Sequence, residues 1–339
     1  MAATIREIAK QAGVSPATVS RYISGNSIVS DEKAEKIEGA MKMLDYTPGS
    51  GKRQKDKGVI AVLLPNLQQG YFTEVLKELI EQIPRYQYRV MIIPTFPGDE
   101  SYKLFFKEVS ITGVIYLDEE VDQAVLNYIG AKNIKSVMLG GATSDSRCEM
   151  IRINDLSAGY DVTRYLLERG HEQILFLAHR SQSIGSGYQR LMGCRRALEE
   201  YGMVFDDSWV EYGSPTYENG YRLTSMRIER GMDFTAVFAF SDEMALGAIA
   251  ALADHADRVP EEISVIGFDG ISISQRVIPR LTTVRQPIGQ FVTKILDAFQ
   301  NPEERFPNME IVLPYSILEG GTCISRKKGQ GKDGTRNLL

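Results

Sequence analysis

A long alternation of apolar runs and amphipathic stretches between residues 59 and 268 constrains the fold of this chain more than any other feature. Residues 59–65 (VIAVLLP) form a continuous apolar run, which is typical of a strand buried on both faces of a parallel sheet. Similar short runs recur along the chain, and stretches with helical periodicity separate them. Because parallel strands are joined by right-handed crossovers, this pattern predicts doubly wound parallel sheets.

The alternation stops and restarts near residue 158, which divides the predicted elements into two halves. The predicted strands are residues 59–65, 89–94, 113–117, 136–140, 174–178, 236–240 and 263–268. The predicted helices are residues 72–84, 102–109, 121–131, 158–169, 188–201, 217–230 and 244–253. Two such halves predict two α/β lobes with a cleft between them, where a ligand binds at the carboxyl ends of the strands.

The N-terminal sequence TIREIAKQAGVSPATVSR predicts two short helices joined by a tight turn. Thr4 and Glu7 have the spacing of a capping box, and Gly13 suits a turn that needs a positive φ. Ser15 is placed to cap the second helix, and Pro16 fits its first turn. An ordinary helical hairpin is the alternative, but the agreement of capping, turn and packing signals favours a DNA-binding helix-turn-helix.

A third helix is predicted to begin at Ser30 and to end at Thr47-Pro48. Its apolar positions close a small three-helix core: Ala34, Ile37, Met41 and Leu44.

The net charge of −5 hides an uneven distribution along the chain. Residues 1–58 carry ten Lys and Arg against seven Asp and Glu, whereas residues 59–324 carry 24 against 36. The last fifteen residues, 325–339, carry five basic residues against one acidic residue. A basic head on an acidic body allows DNA to be bound locally while the rest of the protein is repelled.

The sequence lacks the patterns of the common catalytic, metal and membrane sites. Its cysteines are too widely spaced for a disulfide framework or a metal knuckle, and its histidines are scattered: Cys148, Cys194 and Cys323; His171, His179 and His255. There is no HExxH motif and no phosphate-binding loop, so we expect no enzyme activity, no cofactor and no metal. Without a signal-peptide pattern or an apolar run long enough to span a bilayer, the sequence predicts a cytoplasmic protein with no membrane partner.

Several stretches resemble the LacI/GalR family of bacterial transcription repressors. The N-terminal match consists of AGVSPATVSR, then Gly25-Asn26, Val29-Ser30 and LDYTP at residues 44–48. The matches to the effector domain of the family follow in the family's order: RLMGCR at 190–195, SDEMALG at 241–247, PEEISVIGFD at 260–269 and LTTVRQP at 281–287.

This resemblance, which covers residues 4 to 322, implies the fold of periplasmic sugar-binding proteins behind the helix-turn-helix. The chain is then expected to cross between the lobes three times, near residues 153–154, 283–286 and 313–315. The predicted organisation is a DNA-binding headpiece at 1–48, a basic linker at 49–58, a two-lobed effector and dimerisation domain at 59–324, and a disordered basic tail at 325–339.

The resemblance also implies how the headpiece reads DNA. By this resemblance, Pro16 and Ala17 face the major groove, where their side chains can make only apolar contacts. Arg21 is then the donor for a guanine edge. Other positions are expected to contact phosphates: Thr4, Ser15, Thr18 and Asn26. The linker departs from the family, whose hinge helix inserts a leucine into the minor groove, because it has no leucine and two early glycines. Lys52 and Arg53 remain as candidate contacts to phosphates or to a narrow minor groove.

The implied partners are a double-stranded, pseudo-palindromic operator and a second copy of the chain. A tetramer is less expected, because the tail has no leucine heptads.

Arg190 and Asp269 are the strongest candidates for binding a small sugar in the cleft, because both lie in matching motifs. The structural alternatives are that Asp269 caps the next turn and that Arg190 pairs with a glutamate. For four further candidates a binding role and a structural role are equally expected: Asn66, Tyr71, Phe72 and Ser241. The implied function is a repressor of a carbohydrate-utilisation operon that a sugar-like effector controls. The alternative is a sugar-binding protein of a transport system, which has no use for the headpiece.

Overall fold

The structure is a computed structural model, in which the chain divides into two compact units, Met1–Lys57 and Gly58–Leu339. The residues that it describes are 4–24, 29–44, 46, 57–65, 67, 69–96, 100–117, 123–141, 143, 147–179, 185–231, 233–301 and 310–326. Four candidate contacts lie outside the described residues: Asn26, Lys52, Arg53 and Asn66. So do linker residues 49–56 and tail residues 327–339.

The described part of the first unit contains the helices α1 (Ile5–Ala12), α2 (Pro16–Ser24) and α3 (Asp31–Met43). Thr4 and Glu7 form the predicted capping box, and Gly13 ends α1 with a φ of 66°. The buried core of this unit joins all three helices: Ile8, Ala9, Ala12, Val19, Ile37, Ala40, Met41 and Tyr46. These contacts form the three-helix core that the apolar spacing predicts.

Helices α2 and α3 differ in how their N-termini are capped. The Thr18 N–H donates to Ser15 Oγ at 3.2 Å, so Ser15 caps α2 as predicted. Ser30 has the extended backbone of a capping residue, but its hydroxyl makes no capping hydrogen bond, so the expected side-chain cap of α3 is wrong. The helix ends at Met43, earlier than predicted, because Leu44 leaves the helical conformation at a φ of −98° and a ψ of 9°.

Lobe 1 of the second unit is a sheet of six strands in the order β11-β5-β4-β3-β1-β2. Its strands are β1 (Val59–Leu64), β2 (Arg89–Pro94), β3 (Ile111–Tyr116), β4 (Lys135–Leu139), β5 (Cys148–Arg152) and β11 (Glu310–Val312). Its helices are α4 (Gly70–Gln82), α5 (Tyr102–Glu108), α6 (Gln123–Ala131) and α11 (Ile288–Gln300). All neighbouring strands are parallel, and β1 is buried from Ile60 to Leu64, as the continuous apolar run predicts.

Lobe 2 has a sheet of six strands in the equivalent order β12-β10-β9-β8-β6-β7. Its strands are β6 (Ile174–Ala178), β7 (Val210–Tyr212), β8 (Ala236–Ala239), β9 (Ser264–Asp269), β10 (Thr282–Arg285) and β12 (Ser316–Leu318). Its helices are α7 (Asp155–Glu168), α8 (Ser186–Glu200), α9 (Tyr217–Glu229) and α10 (Asp242–Asp254). The strands are parallel except that β12 runs antiparallel to β10. The predicted class, two lobes of doubly wound sheets behind a helical headpiece, is confirmed.

The helices of lobe 2 pack in two close pairs, α7 with α8 and α9 with α10. Each pair crosses at glycines from both helices, Gly159 with Gly193 and Gly220 with Gly247. A Cβ atom at any of the four would overlap a backbone atom of the partner helix: Arg190 O, Leu156 O, Met244 O and Tyr217 O, respectively. The absence of side chains at these positions brings each helix pair into backbone contact.

The chain passes between the lobes at three places, after β5, after β10 and between β11 and β12. The first and third match the predicted crossings near 153–154 and 313–315. The second begins later than predicted, because residues 282–285 form β10 of lobe 2, and the crossing starts at Gln286. At the C-terminus, the Arg326 N–H donates to Arg169 O at 2.8 Å, so the described start of the tail is attached to lobe 2.

Candidate functional site

The second helix of the headpiece presents an exposed face at its N-terminal end. Pro16, Ala17, Ser20 and Arg21 are all exposed, and their helical spacing places them side by side. Arg21 Nε donates to Ala17 O at 3.3 Å, which lays the guanidinium along this face. Sequence reasoning missed Ser20, although the same spacing identifies it.

The hydroxyl groups expected to contact phosphates are engaged in helix capping. Thr4 Oγ1 lies 2.9 Å from Glu7 Oε2, and Ser15 Oγ lies 2.8 Å from Thr18 Oγ1. Thr4 and Ser15 are exposed and Thr18 is half-buried, so their outer sides face solvent. Phosphate contact by these residues stays a prediction.

A cavity of about 590 Å³ lies between the two lobes, at the carboxyl ends of strands from both sheets. Several of its lining residues directly follow or end a strand: Pro65 after β1, Gly140 after β4, His179 after β6, Phe240 after β8, Asp269 in β9 and Gln286 after β10. Five of the six predicted effector residues line it, namely Tyr71, Phe72, Arg190, Ser241 and Asp269, and the sixth is Asn66 outside the described residues. The cavity is therefore where doubly wound sheets bind ligands.

Arg190 is buried and held from three sides. Its Nε donates to Asp155 Oδ1 at 2.8 Å, and its Nη1 donates to Phe240 O at 2.7 Å. The guanidinium also lies over the ring of Phe268, 3.5 Å from the ring centroid. Asp155 begins α7, where a carboxylate is stabilised by the helix dipole. The side chain is thus preorganised, with part of its donor set already used.

Asp269 ends β9 in a backbone conformation that is rare for a residue with a side chain. Its φ is 113°, and such values concentrate at functional sites. Gln286 Nε2 donates to Asp269 Oδ1 at 2.8 Å, and the Gln286 N–H donates to Asp269 O at 3.1 Å. Burial raises the pKa of the Asp269 carboxyl to about 7, against the lowering effect of the Arg190 charge.

Asp242, at the start of α10, supports the turn that carries Asp269. Its Oδ2 accepts the Ile271 N–H at 2.8 Å, and its Oδ1 accepts the Thr283 hydroxyl. Burial raises the pKa of the Asp242 carboxyl well above its usual range, and the nearby charge of Asp269 raises it further. The carboxylate therefore ties β9, β10 and α10 together beneath the cavity.

Lobe 1 supplies an aromatic wall with few polar groups. The Tyr71 hydroxyl donates to Gln286 Oε1 at 3.4 Å, a long hydrogen bond that connects α4 to the segment crossing between the lobes. Phe72 lines the cavity but is also 92% buried in the core beneath it. Phe72 therefore serves as a core residue, whereas the side chain of Tyr71 is half-buried at the cavity wall.

Ser241 lines the cavity on the lobe 2 side, but its hydroxyl accepts the Met244 N–H at 3.2 Å. It therefore caps α10, which is a structural role. Contact between Ser241 and a ligand stays a prediction.

Sequence reasoning missed several polar residues of the cavity, among them Asp155, His179, Glu243 and Gln286. His179 was predicted to be one of several scattered histidines, yet its ring packs edge-on to Phe240 with the ring centroids 6.4 Å apart. The signal that could have found it is its position directly after a buried strand.

Two carboxylates join the lobes beside the cavity. Glu243 of lobe 2 accepts the Gly70 N–H at the start of α4, and Glu74 Oε1 of lobe 1 accepts the Ser272 N–H at 3.2 Å. A Cβ on Gly70 would lie 2.7 Å from Glu243 Oε1 and 2.8 Å from Ile271 Cδ1, so the glycine permits this close approach.

Within the described ranges, no cluster of three or more His, Cys, Asp or Glu side chains is arranged to hold a metal ion. In the same ranges, no helix combines the length and apolar character that crossing a bilayer requires.

Comparison with known proteins places both units in one family. Residues 4–49 match the model of the lacI family of bacterial regulatory proteins, and residues 163–323 match that of a periplasmic binding protein-like domain. The HTH-type transcriptional repressor PurR of Vibrio cholerae serotype O1 (strain M66-2) is 30% identical over 84% of this chain and 87% of its own length. The HTH-type transcriptional regulator RegA of Clostridium saccharobutylicum is 27% identical over 96% of this chain and 100% of its own length.

Solved structures agree with this assignment. The transcriptional regulator CelR in its cellobiose complex is 26% identical, with a TM-score of 0.70 over 94% of this chain and 99% of that one. The lac repressor dimer bound to operator and the anti-inducer ONPF, at 24% identity, has the same fold, with a TM-score of 0.68 over 95% of this chain and 99% of that one. These relatives are transcriptional regulators rather than enzymes, and this chain belongs to the lacI family of bacterial regulatory proteins.

Proposed function

We propose that the protein is a homodimeric repressor of a carbohydrate-utilisation operon and that a small carbohydrate in the cavity controls its affinity for the operator. The observation that carries this proposal is the origin of the cavity walls, which come from the strand ends of both lobes. A ligand that touches both walls binds one arrangement of the lobes better than another, and that difference shifts the population. The transport-protein alternative is disfavoured, because a capped helix-turn-helix has no role in it.

The polar groups of the cavity suit the hydroxyl groups of a sugar. Asp269 supplies carboxylate oxygens as acceptors, Arg190 is fixed beside it, and the ring of Tyr71 offers a face for the C–H surface. CelR, a relative of similar fold, has been solved with cellobiose. Together these support a carbohydrate as the effector, with Asn66, Phe72 and Ser241 as further proposed contacts.

The headpiece is proposed to read DNA through the exposed face of α2. Arg21 donates to a guanine edge, while Pro16 and Ala17 make apolar contacts, for example with thymine methyl groups. Phosphate contacts are proposed for Thr4, Ser15, Thr18, Asn26, Lys52 and Arg53. The proposed domain bounds remain 1–48, 49–58, 59–324 and 325–339. The protein acts in the cytoplasm, where its DNA is.

A dimer is proposed because a single headpiece buries too little surface for tight specific binding, so two half-sites are needed. Sedimentation at micromolar concentration checks this, and a monomer at that concentration contradicts it.

Base reading is tested by selecting binding sites with the wild type and with Arg21→Ala. We expect the variant to lose about 1–3 kcal/mol of binding free energy and its preference at one operator position. Lys36→Ala, which removes an equal charge from α3, is the control and should leave base preferences unchanged. An unaltered preference profile for Arg21→Ala overturns the assignment.

Effector binding is tested by a thermal-shift screen of sugars on wild type, Asp269→Ala and Asp269→Asn. A sugar that binds in the cavity should stabilise the wild type and should stabilise both variants less. The same sugar should change operator affinity in a gel shift, and a switch from mostly bound to mostly free requires roughly 10⁴-fold preference, about 5.5 kcal/mol. If a sugar stabilises Asp269→Ala as much as the wild type, the effector does not bind in this cavity.

A further inference from the structure

The charges around the cavity are unbalanced. Among its described lining residues are three carboxylates, Asp155, Glu243 and Asp269, and one guanidinium, that of Arg190. Sites for phosphate or carboxylate ligands have the opposite composition, with Arg or Lys side chains or unoccupied helix N-termini facing the ligand. The charged side chains of the cavity therefore favour a ligand without an anionic group.

The single guanidinium is already neutralised within the protein. The Asp155 carboxylate lies 2.8 Å from Arg190 Nε, and both side chains are buried. An anionic ligand would therefore compete with Asp155 for a charge that the fold has already paired. A hydroxyl group can instead accept a hydrogen bond from the guanidinium without breaking that pair.

Acidic side chains also occupy helix N-termini at the cavity. Glu243 of lobe 2 accepts the Gly70 N–H at the start of α4, where an anionic ligand would otherwise bind. The first turn of α10 contains both Asp242 and Glu243. The exception is α8, which begins at Ser186 beside the cavity without an acidic residue in its first turn, so the acidic groups at α4 and α10 are the ones that disfavour an anion.

The two carboxylates that are not paired with Arg190 resist further negative charge. Burial raises the pKa of the Glu243 carboxyl, and the neighbouring charge of Glu218 raises it further. Asp269 shifts in the same direction because it is buried. Groups in this state are stabilised by hydrogen-bond donors and destabilised by a nearby phosphate.

We propose that the cavity selects an effector without an anionic group, a free polyhydroxylated sugar rather than a sugar phosphate or sugar acid, and that Glu243 sets this selectivity. The inference rests on the proposed function and narrows its effector class. Glu243 excludes anions by its own charge and by occupying the amide end of α4, while Asp269 accepts hydroxyl groups of the ligand.

The direct test is calorimetric titration of full-length protein with matched sets, each a free sugar, its 6-phosphate and its uronic acid. We expect at least about tenfold tighter binding of the free sugar, a difference of about 1.4 kcal/mol. Glu243→Gln keeps the shape of the side chain and removes its charge. It should therefore bind the anionic ligand more tightly and reduce the difference in affinity between the free sugar and its anionic derivatives. A phosphate or uronic acid that binds the wild type as tightly as its parent sugar overturns the proposal.

Glu74→Gln is the matched control. Glu74 accepts a backbone N–H across the lobes as Glu243 does, but it does not line the cavity. The variant removes an equal charge from a comparable interlobe hydrogen bond, so a general effect on lobe closure would appear in both variants. Selectivity should change in Glu243→Gln alone, and an equal change in Glu74→Gln overturns the role of Glu243.

A titration with inorganic phosphate keeps the inference testable if no carbohydrate binds. We expect Glu243→Gln to bind phosphate more tightly than the wild type, because the substitution removes the charge that excludes an anion from the cavity. Phosphate on the basic headpiece contributes equally to both proteins. Phosphate binding that is no tighter in Glu243→Gln than in the wild type would overturn the inference. Failure of every sugar, with this phosphate result as expected, would instead overturn the carbohydrate effector of the proposed function.

Discussion

The sheets of lobe 1 and lobe 2 have equivalent strand orders, but the two lobes bury different kinds of side chain. Lobe 1 packs an aromatic cluster of Tyr102, Phe106 and Tyr128 beside its sheet, with edge-to-face ring contacts. Lobe 2 packs its helices through glycine crossings and buries Arg190, Asp242 and other polar groups near the cavity. The same architecture therefore gives two different surfaces, because lobe 1 supplies mostly apolar walls of the cavity and lobe 2 supplies all of its described charged side chains.

This difference implies that lobe 2 tolerates substitutions less well than lobe 1. A buried charge must keep its partner, and a helix crossing without a Cβ cannot accept one. Lobe 1 faces the cavity mainly with uncharged side chains, among them Tyr71, Leu139 and Ile153, which need no charged partner. Three predictions compare equivalent changes in the two lobes, and a fourth concerns a titrating group of lobe 2.

The largest expected effect is the loss of the Arg190 charge in lobe 2. Arg190→Met removes the guanidinium from the buried Asp155 carboxylate, so we expect a loss of about 3–5 kcal/mol in the free energy of unfolding. The lobe 1 counterpart is Lys135→Met, because Lys135 Nζ lies 3.4 Å from the buried Glu149 Oε1. Loss of that longer, partly exposed contact should lower the free energy of unfolding by less, about 1–3 kcal/mol. Urea denaturation measures both, and equal losses would contradict the comparison.

The second prediction concerns the helix crossings. Gly193→Ala forces the α7–α8 crossing apart, because its Cβ would overlap Leu156 O, and we expect a loss of about 3 kcal/mol. Gly289→Ala on α11 of lobe 1 meets Glu78 Oε1 at 3.6 Å, an ordinary contact. It should be neutral or stabilise by about 0.5 kcal/mol through the unfolded chain. Thermal melts of the two variants decide this, and a tolerated Gly193→Ala would show that the helices can separate.

The third prediction is a pH dependence that belongs to lobe 2. The pKa of Asp269 is about 7 in the folded protein and near 3.8 in the unfolded chain, so the native state holds the extra proton between these values. Stability should therefore fall as the pH rises from about 4 to about 7 and then level off. Asp269→Asn, which tolerates the positive φ, should flatten this slope. The measurement is urea denaturation across this range, and an unchanged slope would contradict the assignment.

The smallest expected effects compare single hydroxyl groups at the cavity. Ser241→Ala in lobe 2 removes the cap of α10 and should cost about 1 kcal/mol. Tyr71→Phe in lobe 1 removes a hydrogen bond of 3.4 Å to Gln286 and should cost less than about 0.5 kcal/mol. Thermal melts of both variants measure the difference, and a larger loss for Tyr71→Phe would reverse the ranking of the lobes.

The sequence predicted the long elements well because their apolar spacing is strong. The runs that became β1, β2 and β6 and the capped helices α1 and α2 all formed where expected. Strands of three residues, such as β7, β11 and β12, were missed because so short a segment has no readable period. Helix α11 was also missed, although Phe291, Ile295 and Phe299 repeat at helical spacing.

The cavity was predicted in part, and the reason is again physical. Arg190 and Asp269 could be named because they lie in motifs, but their partners come from distant segments. The pairing of Arg190 with Asp155, 35 residues earlier, depends on the helix crossing rather than on any local pattern. The role of Glu243 depends on the approach of Gly70 from the other lobe, which sequence spacing cannot show.

The late position of β11 and α11 also sets the order in which the protein can be completed during synthesis. Lobe 1 receives its last strand and the helix that packs on β4 and β5 from segments that follow almost all of lobe 2. At about 5–20 residues per second, the ribosome needs on the order of ten seconds to travel from the end of β5 to β11. During that interval the headpiece can already be folded, whereas lobe 1 presents the bare edge of β5 and an uncovered sheet face to the cell's chaperones.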